Sequence, residues 1–156
     1  MRLNYQQLEQ NLKKKWLPVF LISGDEPMQK LDSAETIRLF LKQQGIIDRE
    51  IFYIGKKFDW SLLWQQSGAM SLFSEKNIID IRLEQAPSKE GQLALIELMK
   101  GSAEDSIIII SSPKLTKPQQ NQKWVKLIES KGGWLAVWPV DSANLSQWLV
   151  TWSQQR

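Results

Sequence analysis

An α/β fold, a mostly parallel five-stranded sheet between two layers of helices, is what this sequence predicts. Three observations predict it. Short apolar runs recur along the chain, each bounded by proline, glycine or polar residues, as in "PVFLIS" and "SIIIIS". Stretches with helical spacing and recognisable start and stop residues alternate with them. The chain has 156 residues, which suffices for one domain with a substantial core. Strands alternating with helices imply parallel pairing with both faces covered, a three-layer αβα arrangement.

Each element has its own justification. Asn4 can cap a first helix that carries Leu8 and Leu12 on one face and ends in Lys13, Lys14 and Lys15. "PVFLIS" (18–23) reads as a buried strand between Pro18 and Gly24. "DEPMQKLDSAETIRLFLKQQG" follows with acids before its first turn, a proline in it and a closing Gly45, with Leu31, Ala34, Ile37 and Leu41 on one stripe. "IDREIFYIG" (47–55) is a strand with Ile51 and Tyr53 on one face and Phe52 and Ile54 on the other. Asp59 suits the cap of a helix from Trp60 to about Gln66, with Leu63 and Trp64 inward.

"NIIDIRL" (77–83) is the third strand. Ser88 caps a helix containing Leu93, Ile96 and Met99 and ending at Lys100-Gly101. "SIIIIS" (106–111), wholly apolar, belongs at the centre of the sheet. "KPQQNQKWVKLIESKGG" is a helix with Pro118 at its start and Gly132-Gly133 at its end, and "WLAVWP" (134–139) is the fifth strand. A last helical pattern gathers Trp148, Leu149 and Trp152 at i,i+3 and i,i+4 spacing from Leu145. It has no later partner in this sequence, so either it packs back on the domain or it opens something longer.

Composition narrows the chemistry. There is no cysteine and no histidine. That excludes disulfides, Cys/His zinc sites, thiol catalysis and Ser-His-Asp triads. Carboxylate-bound Mg²⁺ needs only Asp or Glu and stays open. The formal charge of +3 is too small to declare a nucleic-acid partner. No apolar run approaches the ~20 residues of a membrane span and no leader pattern precedes residue 10, so the cytoplasm is the expected location. The eight tryptophans are expected as core or half-buried anchors.

A strand, a glycine and a helix over 19–44 raise the question of a phosphate loop. Against G-x-x-x-x-G-K-[ST], Gly24 and Lys30 are in place, but Gln29 stands for the second glycine and Leu31 for the Mg²⁺-binding hydroxyl. Pro27 removes one of the backbone N–H groups such a loop aims at phosphate. Asp25 and Glu26 put negative charge where phosphates would sit, a repulsion of roughly 1–4 kcal/mol per pair at ~4 Å. They suit the capping of a helix instead, with Lys30 exposed on it. The apolar strands do not end in the Asp-Glu pair of a Walker B motif. "IIIISSP" ends in Ser111-Ser112, and Asp80 lies inside its strand with Arg82 two residues on, a structural position. A nucleotide-binding architecture is expected without its nucleotide chemistry, and so no catalytic, cofactor-binding or metal-binding residue is assigned.

Several stretches together resemble the N-terminal domain of the delta-subunit family of bacterial DNA polymerase III. They are "LNYQQLEQNL", "PVFLISGDEPMQKLDS", "FDWSLLWQQSGAMSLFSEKNIIDIRL", "SIIIISSPKLTKPQQNQKW" and "LSQWLVTWSQQR", in order and spanning nearly the whole chain. Ser-Leu-Phe alone is common; the ordered set is specific. The resemblance implies an AAA+-like, P-loop-NTPase-like body over 1–141 without a working nucleotide site, and at 142–156 the truncated start of a second, lid domain. It implies a non-catalytic clamp-loader subunit of the DNA polymerase III holoenzyme, itself a nucleotidyltransferase. That subunit binds the beta sliding clamp and opens the ring for loading onto primed DNA.

The clamp-binding element implied is Met70, Ser71, Leu72 and Phe73, with Leu72 and Phe73 entering an apolar pocket on the clamp and Glu75 and Lys76 at the rim. On pattern alone, Leu72 and Phe73 also suit the protein's own core. Further implied partners are the other loader subunits (delta prime, gamma/tau), mainly through the missing C-terminal part, and DNA indirectly within the complex. No cofactor and no membrane partner is implied. Two other readings compete: a divergent nucleotide-binding ATPase using Gly24 and Lys30, and a nucleic-acid-binding domain. The latter would work through Lys13 to Lys15, Lys56-Lys57, Lys114 and Lys117, lysines that otherwise read as solvated charge.

Overall fold

The computed structural model describes residues 2–3, 8–14, 17–46, 49–55, 77–101 and 106–137. In chain order these form β1 (Arg2–Leu3), α1 (Leu8–Lys14), β2 (Val19–Ser23), α2 (Pro27–Gln43), β3 (Arg49–Ile54) and β4 (Asn77–Leu83). They continue with α3 (Lys89–Gly101), β5 (Ser106–Ser112), α4 (Lys117–Gln120), α5 (Lys123–Lys131) and β6 (Gly133–Ala136). The strands join in one sheet of order β1-β6-β2-β5-β4-β3, and the pairings are parallel. The five expected strands are all present. The sixth, β1, is a two-residue edge addition that sets Arg2 opposite Trp134 and Leu3 opposite Leu135.

The continuous apolar runs occupy the middle because both their faces are covered. Along β2, Val19 and Leu21 join one core with Ile108 and Ile110 of β5, Leu95 and Leu98 of α3, and Trp124, Val125 and Ile128 of α5. Phe20 and Ile22 join the other with Ile107 and Ile109 of β5, Leu8 and Leu12 of α1, and Ile37 and Leu41 of α2. The alternation is the period-two pleat read out twice. Trp124 is fully buried.

Three helix expectations change. The 117–133 stretch is two helices. Thr116 begins α4 with a capping box, its hydroxyl accepting the Gln119 N–H at 3.3 Å while Gln119 Oε1 accepts the Thr116 N–H at 2.9 Å. Asn121 ends that helix after one turn, and extended Gln122 starts α5. On α2 the buried stripe runs through Gln29, Ser33, Ile37 and Leu41, with Asp32 beside it, while Leu31 is 55% exposed. Strict i,i+4 spacing aims the inner stripe, and Ser33 fits because its hydroxyl donates to the Gln29 carbonyl at 2.7 Å. On α3, Ala94, Leu95, Leu98 and Met99 are inward and Leu93 is 64% exposed.

Candidate functional site

The crevice beyond the carboxyl ends of the strands, where the connections leaving adjacent strands run in opposite directions, is where doubly wound sheets hold ligands. Here β2 lies between β6 and β5, and the loop that follows it carries Gly24, Asp25 and Glu26. The Ser23 carbonyl accepts the Val137 N–H at 2.7 Å, and the Ser23 hydroxyl accepts the Trp134 indole N–H at 2.8 Å. Gly24 has φ 147°, and a Cβ there would collide with the Val137 side chain and carbonyl. Only glycine meets both demands.

Several polar groups of this loop are bonded within the chain. Gly24 N–H donates to the Ser112 carbonyl at 3.2 Å. Asp25 Oδ1 accepts the Lys114 N–H at 3.1 Å, tying the loop to the segment after β5. Glu26 is the N-cap of α2 and accepts the Met28 N–H at 3.2 Å, and Pro27, in the first turn, has no N–H to offer. The sequence places Lys30 in solvent; instead it is half-buried, and its ammonium donates to the same Ser112 carbonyl at 3.3 Å. Burial pushes the Lys30 ammonium below the usual lysine range, and the Asp25 charge pulls the other way. This arrangement is a helix start bolted to the neighbouring strand by its own acids and lysine.

Asp80 sits inside β4 and is 2% exposed. Its Oδ2 lies 3.3 Å from Arg82 Nη2 and 3.8 Å from Arg49 Nη1. The sequence reading of Asp80 as structural holds, but it did not bring Arg49 to it, because the pairing of β3 with β4 is needed to see that neighbour. Among the described residues, no group of three or more Asp and Glu side chains is placed to hold a metal ion. Nor is any described helix long and apolar enough to cross a membrane.

Met70, Ser71, Leu72 and Phe73 lie outside the described residues, as do the boundary at 141–142 and the tryptophan pattern from Leu145. What flanks the element is described: the chain leaves the carboxyl end of β3 at Gly55 and re-enters the sheet at Asn77, the start of β4.

Known proteins are similar to this chain in sequence and in fold. The family described as DNA polymerase III, delta subunit matches residues 20–137. The DNA polymerase III subunit delta of Escherichia coli (strain K12) is 24% identical over 156 residues, covering 99% of this chain and 46% of that protein. Its Haemophilus influenzae counterpart is 25% identical over 119 residues, covering 76% of this chain and 35% of that one. The chain thus spans less than half the length of these relatives. Among solved structures, the Bacillus subtilis DNA clamp loader delta protein superposes with a TM-score of 0.68 at 12% identity, over 97% of this chain and 47% of its own. A gamma subunit-related protein of DNA polymerase III from Thermotoga maritima gives 0.52 at 11% identity, over 89% of this chain and 47% of its own. At those identities the two structures speak for the fold alone, a parallel α/β sheet flanked by helices. The matched family segment runs from Phe20 in β2 through Val137, beyond β6, and on it the chain belongs to the DNA polymerase III delta-subunit family.

Proposed function

We propose that this chain is the clamp-binding, non-catalytic N-terminal part of a clamp-loader delta subunit acting in cytoplasmic DNA replication. Residues 1–141 form its AAA+-like body and 142–156 begin its lid domain. The observation that carries the reading is the family match over 20–137, a span of sequence that includes Met70–Phe73. The internally bonded loop at Gly24 to Lys30 supports a binding role over a hydrolytic one.

In this reading Leu72 and Phe73 enter an apolar pocket on the sliding clamp. Met70 flanks them and Ser71 shapes the turn. Burying a Leu and a Phe contributes about 1.5–3 kcal/mol each before association costs, enough for a small hot spot inside a polar rim. The grip opens the ring only if it favours the open clamp over the closed one, since a ligand shifts an equilibrium by its differential affinity. Delta prime and gamma/tau subunits would join through the remainder of a full-length subunit, and DNA enters through the assembled complex.

The test is a titration of the chain against an immobilised sliding clamp. Saturable binding, competed by a synthetic peptide of residues 67–77, is the expected result. No binding at tens of micromolar, with the folded state checked by circular dichroism, would overturn the reading.

A further inference from the structure

The outer edge of the sheet carries side chains that neither the loop at Gly24 nor the Met70–Phe73 element uses. The register sets Ile51 opposite Asp80 and Tyr53 opposite Arg82. With period two, Arg49, Ile51, Tyr53, Asp80 and Arg82 share one face. Asp80 is the buried anchor of this group. Its Oδ2 holds both guanidiniums, and its Oδ1 has no hydrogen-bond partner among the described residues. One carboxylate therefore hydrogen-bonds Arg82 at 3.3 Å and pairs with Arg49 at 3.8 Å, and both arginine side chains remain about a third exposed.

Arg82 also lies over the Tyr53 ring, 5.5 Å from its centroid, and donates through Nη1 to the Tyr53 hydroxyl at 3.3 Å. Tyr53 is 68% exposed. Next to this pair an open cleft of about 350 Å³ lies at the carboxyl ends of β3 and β4, lined by Tyr53, Arg82, Gly55 and Glu84 among others.

The parts specify a ligand class. A cleft of that volume lies at the small end of ligand sites, with room for one planar group and little more. An aromatic platform held beside a fixed guanidinium is how single strands are bound without sequence reading: the base stacks on the ring and the phosphate meets the cation. Glu84 adds an acceptor of the kind that meets the amino group of cytosine. An acidic peptide fits worse, because it would leave the ring face unused. We propose that this cleft binds single-stranded nucleic acid, with one base stacked on Tyr53, a phosphate on Arg82, and Arg49 extending the cationic track along the strand. The proposal does not rest on the clamp-binding reading.

The experiment is fluorescence anisotropy of the whole chain with a labelled oligodeoxycytidine of about 20 nucleotides at low salt, against an abasic strand of equal length and an oligoglutamate peptide. Tyr53→Ala removes the platform at an exposed position. Arg82→Lys keeps a cation on Asp80 while losing the planar fork. Each is expected to weaken oligodeoxycytidine binding about fivefold or more, with the melting temperature at its wild-type value. The abasic strand is expected to bind the wild type as weakly as the intact strand binds Tyr53→Ala. Equal affinity for both strands, unchanged affinity in both variants, or Tyr53-dependent binding of oligoglutamate in place of the oligonucleotide would overturn the proposal.

Discussion

Gly132 decides whether α5 can meet β2. A Cβ at this residue would collide with the Val19 carbonyl oxygen, a backbone atom that cannot step aside as a side-chain tip can. Gly132→Ala is expected to cost about 1–3 kcal/mol, measured by urea unfolding, as overpacking generally does. The sequence marked this glycine as a helix end, which it is, but the crowding against Val19 arises from the parallel packing. Lys30 is a second residue whose surroundings were hidden. Its position in a degenerate phosphate-loop pattern was readable, whereas the Ser112 carbonyl it bonds lies 82 residues on. Because folding lowers its pKa, the unfolded chain binds more protons between the lowered value and the ordinary one near 10.4. Wild-type stability is therefore expected to rise relative to Lys30→Met as pH climbs from neutrality toward about 10. Paired thermal melts at the two ends of that range check the sign.

At the scale of elements, long apolar runs were the most legible feature. β2 and β5 are strands because their residues are apolar on both faces, and both faces are covered. Tyr53 and Phe52 took opposite faces of β3 as alternation required. Helix faces were read less well. Leu31 and Leu93 are apolar yet exposed, while Asp32 and Ser33 are polar yet buried near the sheet, so hydrophobicity alone misplaced the inner stripe by part of a turn. β1 was illegible because two residues carry no periodicity; its pairing with β6 creates it. The break between α4 and α5 was missed although the Thr116-to-Gln119 box was present in the sequence. Thr116→Ala removes that box and is expected to cost about 1 kcal/mol, read by urea unfolding against wild type.

For the molecule as a whole, alternating strands and helices disclosed the layers but not the strand order, since parallel crossovers permit several orders. The order β6-β2-β5-β4-β3 puts the loop after β2 at the switch point. The same loop spends its polar groups on Lys114, Met28 and Ser112. Calorimetry with ATP and Mg²⁺ is accordingly expected to give no binding in the micromolar range. The assignment of Met70–Phe73 as the clamp contact rests on family likeness alone, since a Leu-Phe pair beside polar residues reads equally as core or as contact. The most direct measurement takes both properties from one sample, the clamp affinity and the melting temperature of the double variant Leu72→Ala, Phe73→Ala. Lost clamp binding with an unchanged melting temperature is expected. A loss of several kcal/mol in stability would mean that these side chains fill the domain's own core, and would contradict the account.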